Sequence, residues 1–248
     1  MAHLVLVPGL WLDGSSWDAV VPALRGAGHG VSPLTLPGLE AKDADRSKVG
    51  LQDQVDAIVA AIDAAPAGES VVVVGHSMGA GLAHLAVDAR PDRVARVVHI
   101  GGFPAASGAP LAEGFAVDGP DLPLPDLSTF DDRDIADLDE QARSAFVARA
   151  IASPASLTTD PVRLTDERRY TVPAVMVCPE YSVDELQSWV AGGDLPEVAA
   201  IADVSYVDID SGHWPQFTRP TELAGILNEQ ASIADTAQRP GPSDQGER

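Results

Sequence analysis

The chain has 248 residues, 45% of them hydrophobic, with a formal net charge of −21 and a single cysteine, Cys178. This length and apolar content support a packed core and exclude a disordered or fibrous chain, while the acidic balance makes nucleic acid and anionic membranes poor partners. One cysteine excludes an intrachain disulfide and a cysteine-based zinc site. The opening HLVLVPG has no basic segment and no cleavage site, so no export signal is expected, and the single cysteine agrees with a cytoplasmic, reducing location. No apolar run approaches the roughly 20 residues of a membrane helix.

In chain order, His3–Val7 is a short apolar run stopped by Pro8-Gly9 and reads as a buried strand. SSWDAVVPALRGAG reads as a helix capped by Ser15 or Ser16, with Trp17, Val20, Val21 and Leu24 at helical spacing. GVSPLTLPG is a second strand, and LQDQVDAIVAAIDAA a helix whose apolar face is Leu51, Val55, Ile58, Val59 and Ile62. Val71–Val74 is a strand, MGAGLAHLAVDARP a helix and VARVVHIGG a strand. This alternation predicts an α/β fold with a mostly parallel sheet covered on both faces. From 105 to 170 the chain turns rich in proline and aspartate, with a helical piece at EQARSAFVARAI and no convincing strand, and reads as a lid folded over the sheet. The sheet pattern resumes at 171 with VPAVMVC, a helix from Asp184 to Val190, the strand VSYVDID and a helix from Thr221 to Glu229. The expected organisation is a core of residues 1–104 and 171–230, a lid at 105–170 and an irregular tail at 231–248.

VVVVGHSMGAG runs a strand straight into a helix through a serine flanked by Gly75 and Gly79. A sharp strand–turn–helix of this kind lifts the central side chain clear of the sheet, and the glycines remove side chains that would collide where the helix start crosses the strand end. The helix N-terminus then points its partial positive charge at developing negative charge. Ser77 is therefore the candidate nucleophile. A serine hydroxyl needs a base. Of six histidines, His3 and His99 lie within strands, His29 in a turn, His76 inside the elbow pointing away from Ser77, and His84 two turns down the helix. His213, just past the last strand, lies at the carboxyl edge of the sheet where Ser77 emerges, and is the candidate base. It has no second histidine at helical spacing, and the glycines near Gly75 lack a Lys-Ser/Thr ending, so neither a metal nor a cofactor is expected.

VLVPGLWLDGSSW, VVVVGHSMGAG and SGHWPQFTRPTELA together resemble, in order and spacing, the oxyanion loop, nucleophile elbow and histidine loop of the α/β-hydrolase-fold serine hydrolases. The resemblance covers nearly all of residues 1–230 and is closest to the compact branch of small esterases and hydroxynitrile lyases, with DELQSW similar to the helix after that branch's acid loop. It implies the α/β-hydrolase fold with a helical lid insertion, and an oxyanion hole built from the Met78 N–H and an N–H of the first loop. That second donor is Leu10, with Trp11 as the alternative; the branch usually has His-Gly where this chain has Pro8-Gly9. The resemblance also implies a triad acid a few residues after VPAVMVC. Laid without gaps that position is Ser182, which cannot serve, in a loop shorter than usual. Glu180 and Asp184 are the nearby carboxylates, and Glu180 is nearer the strand end with the longer reach. Asp208 and Asp210 precede His213 too closely.

The implied activity is cleavage of a neutral or hydrophobic ester or lactone through an acyl-enzyme. Trp11, Phe103 and Trp214 are the candidate substrate-binding residues, with Leu10, Leu12 and Phe217 as further apolar walls. Hydroxynitrile lyases similar to this branch carry a lysine directly after the catalytic histidine, where this chain has Trp214. A lyase, a cyclase or a weakly catalytic small-molecule-binding member are the alternatives. The expected partner is a small-molecule substrate, with the chain acting as a monomer or homodimer.

Overall fold

In the computed structural model, which describes residues 1–238, the elements are β1 (Ala2–Val7), α1 (Val21–Gly26), β2 (Gly30–Pro33), α2 (Leu51–Ala64), β3 (Ser70–His76), α3 (Met78–Ala89) and β4 (Val94–Ile100). They continue as β5 (Asp121–Leu122), α4 (Glu140–Arg149), β6 (Ser153–Pro154), β7 (Ala174–Cys178), α5 (Val183–Gly192), α6 (Pro196–Ala200), β8 (Val204–Asp208), α7 (Pro215–Thr218) and α8 (Pro220–Gln238). Six strands form one parallel sheet in the order β2-β1-β3-β4-β7-β8. Burial on both faces explains the unbroken valine run. Val5, Val7, Val71 and Val73 pack with Ile58, Ile62 and Leu82 on one face. Leu4, Leu6, Val72 and Val74 pack with Leu24, Leu223 and Leu227 on the other. The chain leaves β1 toward β2 and then returns to the far side of β1 with β3, which opens a crevice at the carboxyl ends of these two strands. Among the described residues no helix is long and apolar enough to cross a membrane.

Three expectations change. The first helix does not start at Ser15 or Ser16: residues Gly14–Trp17 form a 3₁₀ turn capped by Asp13, whose carboxylate accepts the Ser15 N–H, and α1 begins at Val21 with proline in its first turn. The second strand ends at Pro33 and does not run on through LTLPG; the Leu34 N–H makes its last bond to β1, at the Leu6 carbonyl (2.9 Å). The last helix extends to Gln238, so residues 231–238 of the expected irregular tail are helical. Leu223, Leu227, Ala231 and Ala234 make one buried stripe that holds it to the sheet. Residues 239–248 of that tail lie outside the described residues.

Between β4 and β7 the chain folds over the carboxyl edge. Only α4 is an α-helix; the rest is 3₁₀ turns and the two-residue antiparallel pair β5–β6. Its return is fixed by Asp88 at the end of α3, whose carboxylate accepts the N–H groups of Thr165 (3.0 Å) and Asp166 (2.9 Å). Buried Arg169 joins Asp88 (3.3 Å) to Glu197 (3.3 Å), which also bonds His84 (3.2 Å). A paired, hydrogen-bonded cluster is how buried charge is tolerated.

His76 and His99 are fully buried, and burial pushes both rings down to about 3, with the His213 ring adding to the effect at His76 and the His84 ring at His99. Unfolded histidine titrates near 6.5, so between about pH 6.5 and 3 the unfolded chain binds more protons, and stability falls as pH falls. His99→Leu is expected to remove about 1.4 kcal/mol per pH unit from that loss below pH 6.5. Urea denaturation of both proteins at pH 7, 5.5 and 4.5 measures it; parallel stability–pH curves would overturn the assignment.

Candidate active site

Ser77 sits between β3 and α3 at φ 54°, ψ −128°, and among the described residues it is one of two non-glycine residues with positive φ; the other is Trp11 at φ 63°. The strain is held by close backbone packing that only glycine permits. A Cβ on Gly75 would strike the Gly79 carbonyl, one on Gly79 the Pro8 carbonyl, and one on Gly102 the Ser77 carbonyl. The Ser77 N–H donates to the Ile100 carbonyl (2.8 Å), which ties the elbow to the neighbouring strand.

His213 lies in the loop between β8 and α7, with Nε2 2.8 Å from Ser77 Oγ and Nδ1 2.8 Å from Glu180 Oε1. The tautomer protonated on Nδ1 satisfies both contacts: Nδ1–H donates to Glu180, and Nε2 accepts from the Ser77 hydroxyl. Two devices hold the loop. His76 Nε2–H donates to the His213 carbonyl (2.7 Å), and its Nδ1 accepts from the Gln216 amide (3.3 Å), so the elbow histidine braces the loop opposite it. The His213 N–H donates to the carbonyl of Asp134 (2.8 Å), which comes from the crossing segment between β4 and β7.

Glu180 follows β7 directly after Pro179, and its side chain is largely shielded from solvent. The neighbouring candidates have other positions. Ser182 is the N-cap of α5 in a reciprocal capping box with Glu185. Asp184 is exposed in the first turn of α5. Asp208 accepts the Val183 N–H (2.9 Å), and Asp210 is exposed.

Among the described residues, neither the Leu10 nor the Met78 N–H has an acceptor in the protein. The Trp11 N–H, by contrast, donates to Ser153 Oγ (2.9 Å). Trp11 is pinned twice more, through its indole N–H to the Leu122 carbonyl (3.1 Å) and through its carbonyl to the Ile151 N–H (3.0 Å). These bonds hold its unusual backbone conformation and join the first loop to the β5–β6 pair.

A cavity of about 450 Å³ opens over Ser77. Leu10, Trp11, Met78, Phe103 and Trp214 line it from the core. From the crossing segment come Leu111, Phe115, Phe130 and Asp134, which sequence reasoning did not single out. Their signal was available: Phe115 and Phe130 are the only aromatic residues between 104 and 145. Leu12 and Phe217 are not at this cavity. Leu12 packs with Ile135, Leu138 and Phe146 under α4, and both residues face a separate cavity of about 400 Å³. Regular alternation would put Leu10 and Leu12 on one side; the positive φ of Trp11 between them breaks it, and the two side chains reach different cavities.

A model of the alpha/beta hydrolase family matches residues 4–226 of this chain. Esterase PIR7B of Oryza sativa subsp. japonica is 40% identical over 103 residues, covering 40% of this chain and 37% of that protein. Methylesterase 10 of Arabidopsis thaliana is 25% identical over 260 residues, 93% of this chain and 92% of that protein. The chain spans about two fifths of the length of the rice and tobacco relatives it matches. Among solved structures, an extracellular alpha/beta-hydrolase from a Paenibacillus species superposes with TM-score 0.75 at 19% identity, over 92% of this chain and 98% of that one.

Proposed function

The chain belongs to the alpha/beta hydrolase family, and from that premise we propose that it is a serine carboxylesterase acting on a small ester or lactone. The observation that carries this reading is the continuous hydrogen-bonded line from Ser77 Oγ through His213 to Glu180, beneath a mainly apolar cavity. His213 Nε2 takes the hydroxyl proton as Ser77 Oγ attacks the carbonyl carbon, and Glu180 stabilises the imidazolium that forms. The Leu10 and Met78 N–H groups receive the developing oxyanion, each worth on the order of 3 kcal/mol in the transition state. The tetrahedral adduct collapses, His213 passes the proton to the departing alcohol, and the acyl group stays on Ser77. Water, activated by the same nitrogen, then attacks the acyl-enzyme, releases the acid and restores the serine.

Similarity to proteins named esterase and methylesterase supports this class of reaction. Trp214 in the position after the histidine leaves no ammonium group there, which disfavours cyanohydrin cleavage. No metal or cofactor takes part in the proposed steps. A fluorophosphonate, which phosphonylates an activated serine, is expected to add one label per chain, on the peptide carrying Ser77, and none to Ser77→Ala. Labelling elsewhere, or none on folded wild-type protein, defeats the reading.

A further inference from the structure

Among the described residues, no lysine or arginine lines the Ser77 cavity. One wall is a chain of aromatic rings: Trp11 stands edge-on to Phe115 (5.4 Å) and to Phe130 (5.9 Å), and Phe130 meets Trp214 (5.5 Å). Apart from the reacting groups and His76, whose two ring nitrogens are bonded to the His213 carbonyl and the Gln216 amide, the polar side chain among the lining residues is that of Asp134. It is partly buried, and among the described residues no lysine, arginine or histidine forms an ion pair with it. Its neighbour Arg133 is turned away, to Glu185 (3.2 Å) and the Glu180 carbonyl (3.5 Å). Burial raises the Asp134 carboxyl above the usual carboxylate range; the His213 ring opposes the rise, and the Glu180 and Asp131 charges add to it. A backbone contact from Asp131 is its local support.

A partly buried carboxylate on the same aromatic-lined cavity is the chemistry that receives an organic cation. Ring quadrupoles attract an ammonium group within about 6 Å of the centroid, and more strongly where water is excluded. A single carboxylate supplies the balancing charge, which a bulky alkylammonium meets without needing hydrogen bonds. The net charge of −21 raises the local concentration of cations at such a cleft. A negatively charged substrate would meet Asp134 and Glu180 with no compensating cation.

We infer that the cavity selects esters bearing an ammonium group, seated between the Trp11–Phe130–Trp214 rings and Asp134, with the ester carbonyl at Ser77. This rests on the esterase reading and replaces the neutral class expected from sequence with a cationic one. Asp134 is then the specificity-determining residue.

The test compares 2-(trimethylammonio)ethyl acetate with its uncharged carbon isostere, 3,3-dimethylbutyl acetate, on wild type and Asp134→Asn, at 0.05 and 0.5 M NaCl. In wild type the cationic ester is expected to have at least a tenfold higher kcat/KM, the size of a desolvated cation–π contact. Most of that ratio should persist at 0.5 M NaCl, because a local contact is screened less than the field of the whole surface. In Asp134→Asn the ratio should fall by about tenfold. Equal rates, a ratio abolished by salt, or a ratio unchanged in Asp134→Asn overturns the inference. Where neither ester turns over, the same comparison is read as slowing of Ser77 phosphonylation by benzyltrimethylammonium, and absence of protection overturns it. Failure of Ser77 to label at all removes the esterase reading instead, and this inference falls with it.

Discussion

Ser77→Ala and His213→Ala are each expected to lower kcat for p-nitrophenyl butyrate by on the order of 10⁶-fold, with KM little changed, and the double variant to be no slower than either single one. The hydroxyl and the imidazole act on one proton in one step. They touch at 2.8 Å, so removing either leaves the other with nothing to do. Residual turnover in all three variants would come from binding and from the Leu10 and Met78 N–H groups, which neither substitution touches. Independent contributions would multiply instead, and the double variant would lose the product of the two factors. The measurement is steady-state turnover with each variant's fold checked by circular dichroism. Retention of a tenth of the activity in either single variant would mean that the line of hydrogen bonds is structural and that the chemistry lies elsewhere.

The core was legible because its physics is local. A parallel strand buried on both faces needs an uninterrupted apolar run, and Val71–Val74 can be little else. The elbow was legible for a similar reason: Gly75 and Gly79 mark where backbones meet closely enough to exclude a Cβ. What the sequence concealed depends on distant partners. Trp11 takes its backbone conformation from bonds to Leu122, Ile151 and Ser153, more than 100 residues away, and no local pattern encodes them. The crossing segment has little periodicity, since its 3₁₀ turns and two-residue strands are too short to repeat, and so Phe115, Phe130 and Asp134 had no face to be assigned to. The first helix was read too long because Trp17 and Val20 have helical spacing while Asp13 caps a tighter turn before them. Leu12 follows Trp11 directly and Phe217 lies three positions after Trp214, and this closeness in sequence hides that both face the separate cavity under α4.

Glu180→Gln is expected to lower kcat by about 10³- to 10⁴-fold with KM nearly unchanged, whereas Asp184→Asn leaves kcat within about twofold. The glutamine keeps the volume and a carbonyl that can still face His213 Nδ1, so the loss isolates the charge. Without it the imidazolium in the transition state is unbalanced, and the amide can also present its NH₂ to Nδ1, which stabilises the wrong tautomer and turns the proton toward Ser77. The position is fixed from both sides. Pro179 continues directly from β7, and Ser182 is already committed to capping α5, so the short stretch between them leaves Glu180 as the carboxylate that reaches His213 Nδ1 at 2.8 Å. A gapless comparison lands on Ser182 because the loop is short, and the extra methylene of glutamate over aspartate makes up the reach. Glu180→Asp keeps the charge but withdraws it by one carbon, and should recover part of the rate that glutamine loses. Asp134 is the other carboxylate near the ring, so Asp134→Asn is the control: if it abolishes turnover of neutral esters while Glu180→Gln stays active, the acid has been assigned to the wrong side of His213.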